Sequence, residues 1–183
     1  MCSVVGYVGK NYSRSFVLEG LTRLEYRGYD SAGFTCLSLE DGKVLFSKTE
    51  GGVANLQKKF EDAPIDGNIG LGHTRWSTHG GITTENAHPH FDCYHTIALV
   101  HNGIIENYAS IKEGLQKRGH TFLSETDTEV LIHLIEDIRK HEVGMKLGHA
   151  VMAALKQVNG AYAIVILDKN DPDTLIAAKK GSP

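Results

Sequence analysis

Apolar residues along this chain fall into β-like runs that pair as hairpins and into helical stripes that come in a cluster. That order argues for an α+β fold in which antiparallel sheets are covered by helices. Residues 4–8 read as a short buried strand. Val17, Leu18, Leu21 and Leu24 recur at helical spacing and predict a helix over 15–26, stopped by Gly28. Strands follow over 32–39 and 44–48, joined at Asp41-Gly42, a strong hairpin signal. A short helix is expected over 53–60 and a strand over 69–75. Residues 77–92 are rich in Gly, Thr, His, Asn and Pro without periodicity, and a loop of that length is usually functional. A strand over 96–101 runs into His101-Asn102-Gly103. Three helical stripes come next: Ile111, Leu115 and Arg118; Val130, Leu131, Leu134, Ile135 and Ile138; Leu147, Val151, Leu155 and Val158. Strands over 162–167 and 174–178, turned by Asp171-Pro172-Asp173, complete the reading.

A chain of 183 residues buries about 70% of its unfolded surface, enough for one compact domain. A net charge of −3 leaves no basic face, which argues against nucleic acid or an anionic membrane as a partner. Val4, Val5 and Val8 are split by glycines and followed by Lys10, Asn11 and Arg14, unlike a signal peptide. The longest apolar run, over 161–167, is too short to span a bilayer. Cys2, Cys36 and Cys93 form an odd, scattered set with no CxxC spacing, pointing to reduced thiols and a cytosolic home.

Cys2 follows Met1 directly. With Met1 trimmed, one residue carries a thiol and a free α-amine whose reference pKa is about 7.7–8.0. An amine of that basicity can act as general base to the thiol beside it, so nucleophile and base come together. The alternative is a chance cysteine on a frayed terminus.

Dense polar motifs stand at strand ends or in the long loop: Tyr26-Arg27-Gly28-Tyr29-Asp30-Ser31-Ala32-Gly33, His73-Thr74-Arg75-Trp76-Ser77-Thr78-His79-Gly80, Glu85-Asn86-Ala87-His88-Pro89-His90, His101-Asn102-Gly103, and Ser124-Glu125-Thr126-Asp127-Thr128-Glu129. With Cys2, they resemble the glutaminase domain of the N-terminal-nucleophile amidotransferases over essentially the whole chain. The wording of the Tyr26–Gly33 segment and of His101-Asn102-Gly103-Ile104-Ile105-Glu106-Asn107 favours the glutamine–fructose-6-phosphate branch over the phosphoribosyl-pyrophosphate branch. The resemblance implies a four-layer αββα sandwich that continues past Gly181-Ser182-Pro183 in the family, so this one is C-terminally truncated. It further implies sugar-isomerase domains outside this chain, to which the ammonia passes for fructose 6-phosphate, and a homo-oligomer at full length. No cofactor is implied.

Residue roles follow from the same resemblance. Cys2 would form a γ-glutamyl thioester, with the Asn102 side chain and the Gly103 N–H stabilising the oxyanion. Read alone, Asn102-Gly103 is equally a turn pair. Arg75 would grip the substrate α-carboxylate as a planar fork, or be a surface salt bridge. Asp127 would hold the α-ammonium. It also sits inside a Thr126-x-x-Glu129 capping box, where a helix dipole favours an acid in any case. Thr78 and His79 resemble residues lining the glutamine pocket. Arg27 and Trp76 resemble lid elements, although a lone tryptophan is more usually a core residue.

Ten histidines raise the question of a metal, above all His88-Pro89-His90 with His79, His95 and His101. A proline between two loop histidines gives no convergence of ligands, and the resemblance implies no metal, so no bound metal is expected. Cys36 reads as a buried strand residue and Cys93 as a structural loop residue. Two rivals stay open: a phosphoribosyl-pyrophosphate amidotransferase glutaminase and a non-catalytic glutamine-binding module.

Overall fold

The computed structural model describes residues 2–77 and 80–182. Two four-stranded antiparallel sheets pack face to face, each covered outside by helices, which gives the expected αββα layering. In the first sheet, strands β1 (Ser3–Val8), β4 (Ile69–Arg75), β2 (Ser31–Leu37) and β3 (Val44–Glu50) lie in that spatial order. Helices α1 (Ser13–Leu24) and α2 (Val53–Asp62) cover it. The second sheet runs β5 (His90–Phe91), β6 (Ile97–Ile105), β7 (Gly160–Asp168), β8 (Asp171–Lys180). Its cover is α3 (Tyr108–Lys117), α4 (Asp127–His141) and α5 (Leu147–Leu155).

The alternation of strand side chains builds three apolar layers. On β6, Ile97 and Leu99 face the helices while Ala98 and Val100 face the other sheet; on β7, Ile164 and Ile166 face the helices and Leu167 the other sheet. Ile69 and Leu71 of β4 answer from across the inter-sheet layer. Gly72, between them and His73, lets α1 lie close: a Cβ there would stand 2.3 Å from Val17 Cγ1.

Several sequence expectations need correction. The helix expected over 15–26 is α-helical only to Leu24 and tightens into a 3₁₀ turn over Glu25–Arg27. Gly28 then lies at φ 178, extended backbone rather than a left-handed cap. Residues 77–92 contain β5, whose two residues pair with Leu99 and Ala98 of β6 and are too few to show a period. The final turn is Lys169-Asn170 rather than Asp171–Asp173, because Asp168 Oδ1 accepts from both the main chain and the side-chain amide of Asn170. Pro172 then sits in β8, an edge strand where a missing N–H is tolerated. The stripe reaching Val158 ends as helix at Leu155.

Candidate active site

The inter-sheet layer changes from apolar to polar at one end, on the same strand faces. Along β4 the inward positions run Ile69, Leu71, His73, Arg75; along β6 they run Ala98, Val100, Asn102. Cys2, one residue before β1, is in step with inward-facing Val4. Because β1 and β4 are antiparallel, with Ser3 opposite Thr74, the start of one meets the end of the other. The Trp76 N–H donates to Cys2 Sγ at 3.2 Å, and the thiol lies 3.5 Å from the Trp76 carbonyl. Burial pushes the Cys2 thiol up from its ordinary value, and the Trp76 main chain opposes this only in part. A thiol so placed needs a base.

Asn102-Gly103 is not a turn. Strand β6 continues through both, pairing them with Ala163 and Tyr162. Gly103 has φ +134, and a Cβ on it would stand 2.0 Å from the Ala161 carbonyl oxygen, so no other residue fits. Asn102 Nδ2 donates to the Cys2 carbonyl at 3.0 Å, while its Oδ1 lies 2.9 Å from His73 Nε2. His73 Nε2 also lies 3.0 Å from the His101 carbonyl, which can only accept. Nε2 therefore carries the proton, and that proton fixes the amide with its nitrogen towards Cys2. Full burial holds His73 down to about 3, so the ring is neutral.

Arg75 is buried rather than on the surface, and its Nη1 donates to the Gly81 carbonyl at 3.0 Å. Glu125 Oε2 accepts from the Gly81 N–H, and Asn86 Nδ2 bonds both the Gly81 carbonyl and Glu125 Oε2 at 3.1 Å. Asp30 Oδ2 accepts from the Ser77 N–H at 2.9 Å and steers the chain leaving β4.

Asp127 opens α4. Its N-cap Thr126 accepts from the Glu129 N–H, but only this half of the expected capping box forms. The Glu129 carboxylate instead accepts from the N–H groups of Leu123 and Ser124. Asp127 Oδ2 accepts from the Ile105 N–H at 2.8 Å, and Oδ1 is 4.0 Å from His101 Nδ1. One carboxylate oxygen thus ties α4 to β6 and the other faces the cleft end.

Cys2, Arg75, Trp76, Gly103 and Asp127 line a single narrow cleft with about 20 Å³ of free interior. A bound amino acid requires its walls to part. Trp76 is exposed rather than a core residue, with Tyr29 edge-on at 6.1 Å. Arg27 is half-buried at the end of the 3₁₀ turn and is not brought to the cleft wall. Thr78 and His79 lie outside the described residues.

A layer of buried histidines was given no role by the sequence reading. His88 stacks on His73 with ring centroids 4.0 Å apart and accepts from the His101 N–H at 3.2 Å. Thr128 Oγ1 joins it to His101 Nδ1 at 2.9 Å, one residue from Asp127. The spacing of these residues in sequence gives no signal of the stack. A cavity of about 590 Å³ lies elsewhere, beside Cys93, His120 and His133.

Comparisons with known proteins bear on the family and the fold. Residues 57–180 match the glutamine amidotransferase domain. The whole chain aligns at 48% identity with glutamine–fructose-6-phosphate aminotransferase (isomerizing) of Clostridium acetobutylicum, covering 29% of it. For the enzyme of that name from Bacteroides thetaiotaomicron the identity is 49%, over 30% of its length. The chain thus spans under a third of these relatives. Among solved structures, glutamine phosphoribosylpyrophosphate amidotransferase from B. subtilis superposes with a TM-score of 0.80 at 28% identity, over 97% of this chain and 37% of that one.

Proposed function

Since the chain belongs to the glutamine amidotransferase domain family, we propose that it hydrolyses L-glutamine to glutamate and ammonia with Cys2 as the nucleophile. Cys2 Sγ attacks the side-chain amide carbon and forms a C–S bond. The oxyanion that develops is met by Asn102 Nδ2, which has a second proton to donate, and by the Gly103 N–H. The C–N bond then breaks, and the Cys2 amine, freed by loss of Met1, hands the thiol proton to the departing ammonia. Water attacks the thioester, releasing glutamate and restoring the thiol. Arg75 takes the substrate α-carboxylate and Asp127 the α-ammonium. Thr78 and His79 complete the pocket, and Arg27 and Trp76 act as the lid.

The observation that carries this reading is the meeting of a half-buried cysteine, an amide oriented towards it, a buried arginine and a helix-start aspartate at one polar end of the inter-sheet layer. The relatives' names support fructose 6-phosphate as the acceptor in the longer protein, and the three free cysteines support a cytosolic setting. Among the described residues no helix is long and apolar enough to cross a membrane. Glutamate release by Met1-free protein tests the proposal, and Cys2→Ala must abolish it. Undiminished release from Cys2→Ala, with Cys36→Ala or Cys93→Ala inactive instead, would overturn it.

A further inference from the structure

Outside the cleft, four side chains from three segments converge on the wall of the 590 Å³ cavity. Cys93 comes from the loop between β5 and β6, His120 from the segment between α3 and α4, and His133 and Glu136 from one face of α4. One ligand-type atom of each lies within 4.8 Å of all the others. We propose that Cys93 Sγ, His120 Nδ1, His133 Nδ1 and Glu136 Oε2 bind a Zn²⁺ ion that clamps α4 to the loop before β6.

Four of the cluster's six edges match those of a tetrahedral site. With Zn–S at about 2.3 Å and Zn–N or Zn–O at about 2.0–2.1 Å, a tetrahedron has S···N edges of about 3.6 Å and N···O edges of about 3.3 Å. Cys93 Sγ lies 3.6 Å from His133 Nδ1 and 3.7 Å from His120 Nδ1. Glu136 Oε2 lies 3.1 Å from His133 Nδ1 and 3.7 Å from His120 Nδ1. The two remaining edges, between the histidine nitrogens and between Cys93 Sγ and Glu136 Oε2, are within 4.8 Å.

The far side of each ring is prepared as well. His120 Nε2 is 3.1 Å from Asp137 Oδ1, and Asp137 is held in turn by Arg118 Nε at 2.9 Å. His133 Nε2 faces Glu129 Oε1 at 3.6 Å. The carboxylate behind His120 Nε2 keeps the proton there and turns the Nδ1 lone pair towards the centre, as in carboxylate–histidine–metal arrangements, while Glu129 stands on the same side of His133 beyond hydrogen-bond distance. His120, His133 and Glu136 are buried, so water competes poorly. A donor set of one thiolate, two imidazoles and one carboxylate suits Zn²⁺ and is ill matched to Mg²⁺ or Ca²⁺, which take oxygen ligands. This site departs from the expectation that the chain binds no metal, which is argued from His88-Pro89-His90 and does not weigh His120 with His133. Only His133-x-x-Glu136, an i,i+3 pair, was visible locally as a shared helix face.

The test uses the purified 183-residue chain, stripped with chelator and titrated with Zn²⁺ and separately with Co²⁺. The expected result is a single tightly bound Zn²⁺ per chain. Co²⁺ should give a thiolate-to-metal charge-transfer band and visible bands of tetrahedral intensity. Cys93→Ser must lose the charge-transfer band, while Cys36→Ala keeps it. Asp137→Asn, which leaves all four ligands in place, should weaken Zn²⁺ binding by about tenfold to a hundredfold. No uptake of Zn²⁺ by a folded chain, or a charge-transfer band that survives in Cys93→Ser, overturns the proposal.

Discussion

His73 Nε2 stands 2.9 Å from Asn102 Oδ1, bridging the two sheets and turning the amide nitrogen of Asn102 towards Cys2. The ring is neutral and buried, so its one N–H is a fixed donor rather than a proton shuttle. His73→Phe keeps the ring and the stack on His88 but removes that donor. Its kcat for glutamine should fall by about ten- to a hundredfold with little change in KM, because an oxyanion donor acts in the transition state. Asn102→Ala should cost about 10²–10³ in kcat. A rise in KM at unchanged kcat in either variant would make this pair a substrate-binding element instead.

Asp127→Asn keeps an oxygen that can accept from the Ile105 N–H but loses the charge. A charge-assisted bond is worth about 1.5–3 kcal/mol, so glutamine affinity should drop by about one to two decades while Tm barely moves. Thermal melting and glutamine titration on the same sample decide it. A large fall in Tm with unchanged affinity per folded molecule would leave Asp127 a structural tie between α4 and β6.

Gly103→Ala should cost at least about 2 kcal/mol in urea unfolding, since both its φ of +134 and the nearby Ala161 carbonyl reject a Cβ. Gly114→Ala in α3 is the control. A Cβ there meets nothing closer than Arg118 Nη1 at 3.5 Å, and the change should stabilise by about 0.5–1 kcal/mol. Equal effects at the two positions would refute the close-approach argument.

Much of the architecture was legible in the sequence. Strand β4 spans the expected residues, because Ile69 to Arg75 carry a clean end signal in the polar run that follows. Cys36 is a buried strand residue, as read. Legibility failed where hydrogen bonds or strand pairing outside the local pattern decide the outcome. The Asn102-Gly103 pair reads as a turn locally, yet β7 pairs with it and extends the strand. Glu129 reads as the second half of a capping box, yet Leu123 and Ser124 claim its carboxylate. The stacked histidines and the Cys93–His120–His133–Glu136 cluster join segments that no period or spacing connects.

Acid should unfold the chain by way of the buried histidines. Burial lowers His73 to about 3 and His88 well below its ordinary value, whereas both titrate near 6.5 when unfolded. The unfolded state then binds up to two more protons than the folded one below pH 6.5. The stability these neutral rings contribute is fully present above pH 6.5 and is lost as pH falls from there towards 3. The slope approaches about 2.7 kcal/mol per pH unit from this pair. Urea midpoints from pH 8 to 5 check this: a steep fall below pH 6.5 is expected. A flat profile between pH 6.5 and 5 would mean these rings are protonated in the fold.

The account rests on Cys2 acting with its own α-amine. While Met1 is attached, the nitrogen of Cys2 is an amide and cannot take a proton, so the thiol, raised by burial, has no base. The most direct measurement is glutamate release by one preparation before and after aminopeptidase treatment, with intact mass following the loss of the methionine residue. Release should rise in step with the Met1-free fraction and be absent throughout in Cys2→Ala. Full activity from protein shown by mass to retain Met1 would contradict the mechanism.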